Sequence, residues 1–190
     1  MGNLIHAKKL SDSQLIKFYL DTQHSYYFDI LYKRYAGKVF AKCISLLKEE
    51  EWAEDATQDI FLKIFLNLCN FSEKSKFSTW IYSITYNYCI DLLRRKKKDR
   101  TIFSEPNENF QDVAEEDNDH RIFEIEVDRL VVVLDNIAIA DKAVLLMKYQ
   151  DDMSIKEIAE SMDKTESAIK MKIKRAKEKA VLVYEDLYKD

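Results

Sequence analysis

The chain has 190 residues, of which 47% are hydrophobic and 34% charged, and its formal net charge is -4. This length allows one substantial core or two small ones, and the charge content is typical of a soluble protein. No apolar stretch approaches the roughly 20 residues that span a bilayer, and the opening sequence MGNLIHAKKLSDSQL lacks the apolar run of a signal peptide. We therefore expect no membrane insertion and a cytoplasmic location.

Glycine and proline are scarce, with two of the former and one of the latter. Most tight turns depend on these residues, so their scarcity predicts an all-α fold with short connections. The three cysteines, Cys43, Cys69 and Cys89, are odd in number, widely spaced and set among apolar neighbours. This pattern favours reduced thiols in the core over a disulfide framework or a zinc site.

The first predicted helical domain covers residues 10–100. Apolar residues repeat there at spacings of three and four, as in Leu31, Tyr35, Val39 and Cys43, which makes one apolar face. Further along, Asp55, Gln58 and Asp59 share one helical face with Phe61 at its margin. Such a face can meet basic residues of a partner, although the spacing alone favours ordinary solvated surface.

An aromatic segment, FSTWIYSITYNYCIDLL, runs into the basic cluster LLRRKKKDR. Six cations against Asp99 give that cluster a local charge of +5. Aromatic rings beside cations suit single-stranded nucleic acid, because unstacked bases need a π-surface and their backbone needs positive charge. The alternative is a plain aromatic core, which the spacing of Trp80, Ile84 and Tyr88 favours.

Residues 101–129 contain the only proline, Pro106, and are strongly acidic, with ten carboxylates against one arginine up to Asp128. The first half of this segment cannot bury enough apolar surface to fold alone. We interpret residues 101–129 as an acidic linker and expect a second, smaller helical domain at 130–188.

The second domain carries a predicted helix-turn-helix. Ser154 and Glu157 fit a capping box, the sequence MDKT makes a tight turn, and Thr165 can cap the next helix. On that helix four apolar residues face inward, namely Ile169, Ile173, Ala176 and Ala180. The opposite side presents Ser167, Lys170, Met171, Lys174 and Arg175. A helix that is apolar inside and cationic outside fits the DNA major groove, although any solvated helix can be rich in lysine.

Taken in this order, the segments FDILYKRYAGKVF, EEEWAEDATQDIFLKIF and FSTWIYSITYNYCIDLLRRKKK, the acidic linker and the terminal helix-turn-helix resemble the extracytoplasmic-function sigma factors. These are small relatives of the bacterial housekeeping sigma subunit. The resemblance implies two helical domains, sigma region 2 and sigma region 4. It also implies a transcription initiation factor that binds core RNA polymerase, recognises minus-35 and minus-10 promoter elements and assists promoter melting.

The resemblance further implies roles for individual residues. Polymerase binding falls to Asp55, Gln58, Asp59 and Phe61. Contact with single-stranded minus-10 DNA falls to Phe77, Thr79, Trp80, Tyr86, Asn87, Arg94 and Arg95. Contact with minus-35 duplex falls to Ser167, Lys170, Met171, Lys174 and Arg175, with Lys172 directed to a phosphate at the groove edge. The family uses no metal or cofactor, threads its linker through polymerase channels and is commonly held by an anti-sigma factor.

The sequence departs from the family pattern at several positions. Asp163 stands in the turn where glycine is usual, and aspartate tolerates the left-handed conformation better than most residues. Ile137 and Ala138 replace a leucine-proline pair, and Lys142 stands where arginine is common. Ala168 and Met171 replace small hydroxylated residues, which leaves the minus-35 base preference open.

Three other classes of protein are alternatives to a sigma factor. A helix-turn-helix regulator that binds duplex DNA without polymerase leaves the aromatic and basic segment without a task. A helical scaffold or anti-sigma partner predicts no affinity for nucleic acid. An enzyme fits least, because His6, His24 and His120 are scattered and the sequence has no phosphate-binding glycine loop or metal-ligand spacing.

Overall fold

The computed structural model describes residues 7–100 and 127–188, with side chains over 7–96 and 128–188. In these ranges all regular secondary structure is helical, which confirms the all-α prediction. Within the same ranges, no helix combines the length and apolarity that crossing a bilayer requires. The predicted acidic linker lies outside the described residues except for its last three, which belong to a helix that begins at Val127.

Eight α-helices follow one another along the described chain, and short 3-10 turns lie at Ala7–Lys9 and Leu68–Asn70. They fall into two compact units: the first ends at Asp91, and the second begins at Leu92, except that Glu160–Asp163 group with the first. The helices are α1 (Asp12–Thr22), α2 (Ser25–Leu47), α3 (Glu50–Asn67), α4 (Phe77–Arg100), α5 (Val127–Asp135), α6 (Ile139–Leu145), α7 (Ile155–Met162) and α8 (Glu166–Tyr188).

Polar side chains define the beginnings of α1 and α2. Ser11 and Gln14 form a capping box, in which the Gln14 N–H donates to Ser11 Oγ and the Ser11 N–H donates to Gln14 Oε1. His24 caps α2 by accepting the Tyr26 N–H on Nδ1 at 3.3 Å. These side chains satisfy backbone donors that a helix leaves open at its first turn.

The core of the first unit is built from apolar stripes on α1 to α4. Four members of the stripe predicted on α2 are buried, namely Leu31, Tyr35, Val39 and Cys43. They lie with buried residues of the other three helices, among them Leu15, Ile60, Ile64 and Ile81. Arg34 ties the start of α1 to α2, since it donates to Asp12 at 2.7 Å and to the carbonyls of Lys8 and Leu10.

Two ion-pair systems connect the helices of the second unit. Asp141 on α6 accepts from Lys172 at 2.9 Å and from Lys179 at 2.8 Å, both on α8. Lys142 on α6 donates to Asp135 of α5 at 2.7 Å, which gives this lysine a structural partner. Helix α6 begins directly after Ala138, whose carbonyl accepts the first backbone bonds without a side-chain cap.

The three cysteines are free thiols. Cys43 and Cys89 are buried, as predicted. The prediction is wrong for Cys69, which is exposed. This residue lies in the 3-10 turn that follows α3, where the chain leaves the helix and its apolar neighbours no longer share one face.

Candidate polymerase and promoter interfaces

The helix-turn-helix forms through the local signals that the sequence contains. At the start of α7 the Glu157 N–H donates to Ser154 Oγ at 3.2 Å, and the Ser154 N–H donates to Glu157 Oε2 at 2.8 Å. Asp163 adopts the left-handed conformation with φ of 51°. Thr165 then caps α8 by accepting the Ala168 N–H at 3.2 Å. The capping box, the turn residue and the second cap are thus all confirmed.

Helix α8 has one buried and one exposed side. The buried side consists of the predicted residues, Ile169, Ile173, Ala176 and Ala180. On the other side Ser167, Lys170 and Arg175 are exposed and Met171 is 46% exposed, whereas Lys174 is half-buried. The surface therefore lies where the sequence placed it, and its contact with DNA stays a prediction.

Lys172 differs from the expectation that it contacts a phosphate. Its Nζ donates to Asp141 inside the second unit, and its side chain is half-buried. Burial raises the pKa of Asp141, but hydrogen bonds from Lys179 and Lys172 outweigh it and leave that pKa below its ordinary value. Because a buried carboxylate needs a cationic partner, Lys172 stabilises the contact between α6 and α8.

Three of the predicted minus-10 residues on α4 are buried, and on this point the expectation is corrected. Phe77 packs against the rings of Tyr35 and Phe71, with centroids 5.6 and 5.2 Å away. Thr79 is buried, and the fully buried Tyr86 accepts a hydrogen bond from Lys42 at 3.5 Å. Because all three side chains are buried, they do not present a surface to DNA in this structure.

The remaining minus-10 candidates keep access to solvent. Trp80 and Asn87 are partly exposed, and Arg94 and Arg95 are exposed. At 100° per residue, Trp80, Asn87 and Arg94 fall within about 40° of one another, since they are spaced by seven. Asp91, which is exposed, lies on the same side. One side of α4 thus carries a ring, an amide, a guanidinium and a carboxylate in line.

On α3 the predicted polymerase-binding residues differ in their exposure to solvent. Asp55, Gln58 and Asp59 are exposed, as a docking face requires. Phe61 is only 5% exposed and packs against Tyr32 with ring centroids 4.6 Å apart. Its place at the margin of the face is therefore corrected: its ring belongs to the contact between α2 and α3.

Asp59 has a second contact that the sequence pattern did not indicate. Its Oδ2 accepts a hydrogen bond from the Tyr88 hydroxyl at 2.5 Å. Lys63, one turn along α3, lies over the Tyr88 ring with its Nζ 4.8 Å from the centroid. These two contacts fix the Asp59 side of the acidic face to α4.

Sequence reasoning missed an apolar continuation of the α3 face. Leu62 is 56% exposed and Leu66 is 64% exposed. At 100° per residue both lie within about 20° of Asp55, since they follow it by seven and eleven residues. This spacing was visible in the sequence, but apolar residues at helical spacing are usually assigned to a core. The exposed stripe on α3 therefore begins acidic and ends apolar.

Comparison with known proteins identifies two family regions in the chain. Residues 31–99 match the family model Sigma-70 region 2, and residues 128–179 match Sigma-70, region 4. The chain is 30% identical over 159 residues to the ECF RNA polymerase sigma factor SigW of Bacillus subtilis, covering 76% of this chain and 81% of the relative. It is 25% identical over 182 residues to the ECF RNA polymerase sigma-E factor of Haemophilus influenzae, covering 90% and 94%.

A solved structure has the same fold. The sigma factor RpoE of Bartonella quintana, crystallised in complex with the anti-sigma factor NepR, superposes with a TM-score of 0.61 at 16% identity. The match covers 83% of this chain and 96% of that one. An all-α chain with region 2 followed by a region 4 helix-turn-helix is a sigma-70-type transcription initiation factor. Within that class, the chain belongs to the extracytoplasmic-function sigma factors.

Proposed function

We propose that this sigma factor binds core RNA polymerase through the exposed stripe of α3. The acidic half, Asp55 and Gln58, supplies charge and hydrogen-bonding groups that set specificity for a basic partner surface. The apolar half, Leu62 and Leu66, supplies area whose burial favours association. Support comes from exposure on one side of a helix that lies within the region 2 match.

In the same proposal the exposed side of α4 holds the minus-10 single strand. Trp80 can stack on an unpaired base, Asn87 can read a base edge, and Arg94 and Arg95 can contact phosphates. Phe77, Thr79 and Tyr86 support this surface from beneath rather than form it. Residues 10–100 are thus assigned to polymerase docking and minus-10 recognition.

Residues 130–188 are assigned to the minus-35 element. The observation that carries this assignment is the division of α8, which buries Ile169 and Ile173 while Lys170 and Arg175 face solvent. In a helix-turn-helix this second helix enters the major groove, where cationic and polar side chains reach base edges and phosphates. The acidic linker at 101–129 is assigned to the polymerase channels.

Regulation and catalysis complete the proposal. Because the RpoE structure contains an anti-sigma factor, we expect an anti-sigma factor to hold this chain by covering the same surfaces. Bond formation belongs to the polymerase, so the chain needs no metal or cofactor of its own. The cytoplasm, where core polymerase and promoter DNA are found, is the expected location.

Titration with core RNA polymerase tests the docking stripe. The double variants Asp55→Ala with Gln58→Ala, and Leu62→Ala with Leu66→Ala, should bind core enzyme more weakly than the unchanged chain. The matched control is Asp21→Ala, which removes an exposed carboxylate from α1. All variants should melt at nearly the same temperature, because the removed groups bury little area. Equal polymerase affinity in both double variants and the control would place docking elsewhere.

A further inference from the structure

Two buried thiols face each other between α2 and α4. Cys43 and Cys89 are both fully buried, and their sulfur atoms lie 3.8 Å apart. A disulfide needs a sulfur separation of about 2.05 Å, so the pair is less than 2 Å from bonding distance. The third cysteine, Cys69, is exposed and lies in the turn after α3.

The two sulfurs are not equivalent. The Cys89 S–H donates to Cys43. This hydrogen bond lowers the pKa of Cys43, and the Thr57 hydroxyl lowers it further, although burial opposes both. The same contact, together with burial, raises the pKa of Cys89. Since the thiolate is the reactive form, the lowered pKa favours Cys43 over Cys89 as the nucleophile, with Cys89 as the resolving thiol.

We propose that Cys43 and Cys89 form a redox-active dithiol, which hydroperoxides oxidise to a disulfide joining α2 to α4. The Cys43 thiolate attacks one peroxide oxygen, and the other oxygen leaves as hydroxide, which gives Cys43 sulfenic acid. The Cys89 sulfur then attacks the sulfenic sulfur, and the sulfenic oxygen leaves as water after taking up the Cys89 proton. The hydroxide from the first step takes up the proton that the Cys43 thiol lost and becomes the second water. With hydrogen peroxide as oxidant, two thiols and one peroxide become one disulfide and two waters.

Burial determines how this site reacts. Neither sulfur reaches solvent in the closed structure, so the oxidant must enter through local opening of the helices. Oxidation of the pair should therefore be slower than oxidation of Cys69. Once Cys43 is oxidised, its partner already lies within contact distance, so ring closure should outrun further oxidation to the sulfinic acid.

Peptide mapping tests the site directly. Cleavage after lysine and arginine places the three cysteines on separate peptides, 43–48, 64–74 and 77–94. The full chain carrying Cys69→Ser, which alters only an exposed side chain, is treated with hydrogen peroxide, alkylated in denaturant and digested. We expect peptides 43–48 and 77–94 to be joined by a bond that dithiothreitol reverses, in a chain that remains monomeric.

A second variant controls for over-oxidation. Adding Cys89→Ser should abolish the linked peptide and leave Cys43 as sulfenic or sulfinic acid. Should that variant not fold, Cys89→Ala offers the same control without a buried hydroxyl. The proposal is overturned when peptides 43–48 and 77–94 stay fully alkylated even under prolonged exposure, continued well beyond complete oxidation of Cys69 in the unchanged chain. Oxidation of both sulfurs without a link would overturn it as well.

Discussion

Asp141 accepts two ion pairs from α8, one from Lys172 and one from Lys179. Its folded pKa lies below the ordinary value of 3.8, so the ionised carboxylate stabilises the folded chain above that pH. This contribution is lost as the pH falls through the lower, folded pKa. We expect Asp141→Asn to lower the free energy of unfolding at neutral pH by about 1–3 kcal/mol.

Thermal melts of the two chains between neutral pH and acid check this expectation. The difference between them should shrink as the pH drops below 3.8, because protonation then removes in the unchanged chain what the substitution removes in the variant. Comparing the two cancels the titration of every other carboxylate. A difference that stays constant with pH would show that the Asp141 charge contributes nothing.

Alanine substitutions on α8 distinguish contact with DNA from packing of the helix. The positions are Lys170, Arg175 and Ile173. Lys170→Ala and Arg175→Ala remove exposed cations and should weaken binding to minus-35 duplex, with a shallower dependence on salt. Ile173→Ala empties a buried position and should lower the free energy of unfolding by about 2–5 kcal/mol. Filter binding at several salt concentrations, beside thermal melts, measures both effects.

Lys17→Ala is the charge-matched control for these variants, because Lys17 is an exposed lysine on α1. It should leave duplex affinity and its salt dependence nearly unchanged. Equal affinity of all four variants at matched, moderate salt would remove the groove assignment from α8.

At the scale of a helix, α2 contains a position where its sequence is not optimal for stability. Gly37 lies on the exposed side, and a Cβ placed there would meet nothing within 4 Å. Glycine in a helix interior costs about 1 kcal/mol relative to alanine. Gly37→Ala should therefore raise the free energy of unfolding by about 0.5–1 kcal/mol, seen as a higher denaturant midpoint with an unchanged slope. A lower midpoint would indicate that the exposed side of α2 is covered in solution.

The helix-turn-helix could be predicted from the sequence because its signals are local. Ser154, Glu157 and Thr165 act within three residues of the groups that they cap, and the left-handed turn needs only a residue such as Asp163. The inward stripe of α8 follows from the helical period alone. Each of these features depends on neighbours in the chain, which a sequence shows directly.

The residues whose exposure or contacts differ from the sequence-based expectation depend instead on contacts between helices. Phe61 and Phe77 are drawn inward by rings on α2, and Lys172 is bound by a carboxylate 31 residues away. Cys69 becomes exposed because α3 ends just before it. Periodicity gives the angle of a residue on its own helix, but which angle a neighbouring helix covers is decided by tertiary packing.

Across the full chain, the proposed function assigns polymerase docking and promoter reading to different helices. A duplex-binding regulator would need α8 alone, whereas the proposed sigma-factor mechanism also uses the stripe of α3 and the exposed side of α4. Variants of α3 and variants of α8 should therefore lose transcription in different ways. The assay uses core polymerase, a library of promoter-containing fragments, and sequencing of RNA 5′ ends.

Core polymerase with the unchanged chain should produce transcripts that start at defined positions. Asp55→Ala with Gln58→Ala should reduce them when the chain is limiting, and excess chain should restore them, because mass action compensates for weaker docking. Lys170→Ala with Arg175→Ala should reduce transcription even at saturating chain, since the assembled enzyme then binds its promoter poorly. Asp21→Ala should match the unchanged chain throughout. If the chain binds duplex but yields no defined 5′ ends with core polymerase, and any inhibitory partner is absent, the sigma-factor mechanism proposed for α3 and α4 fails.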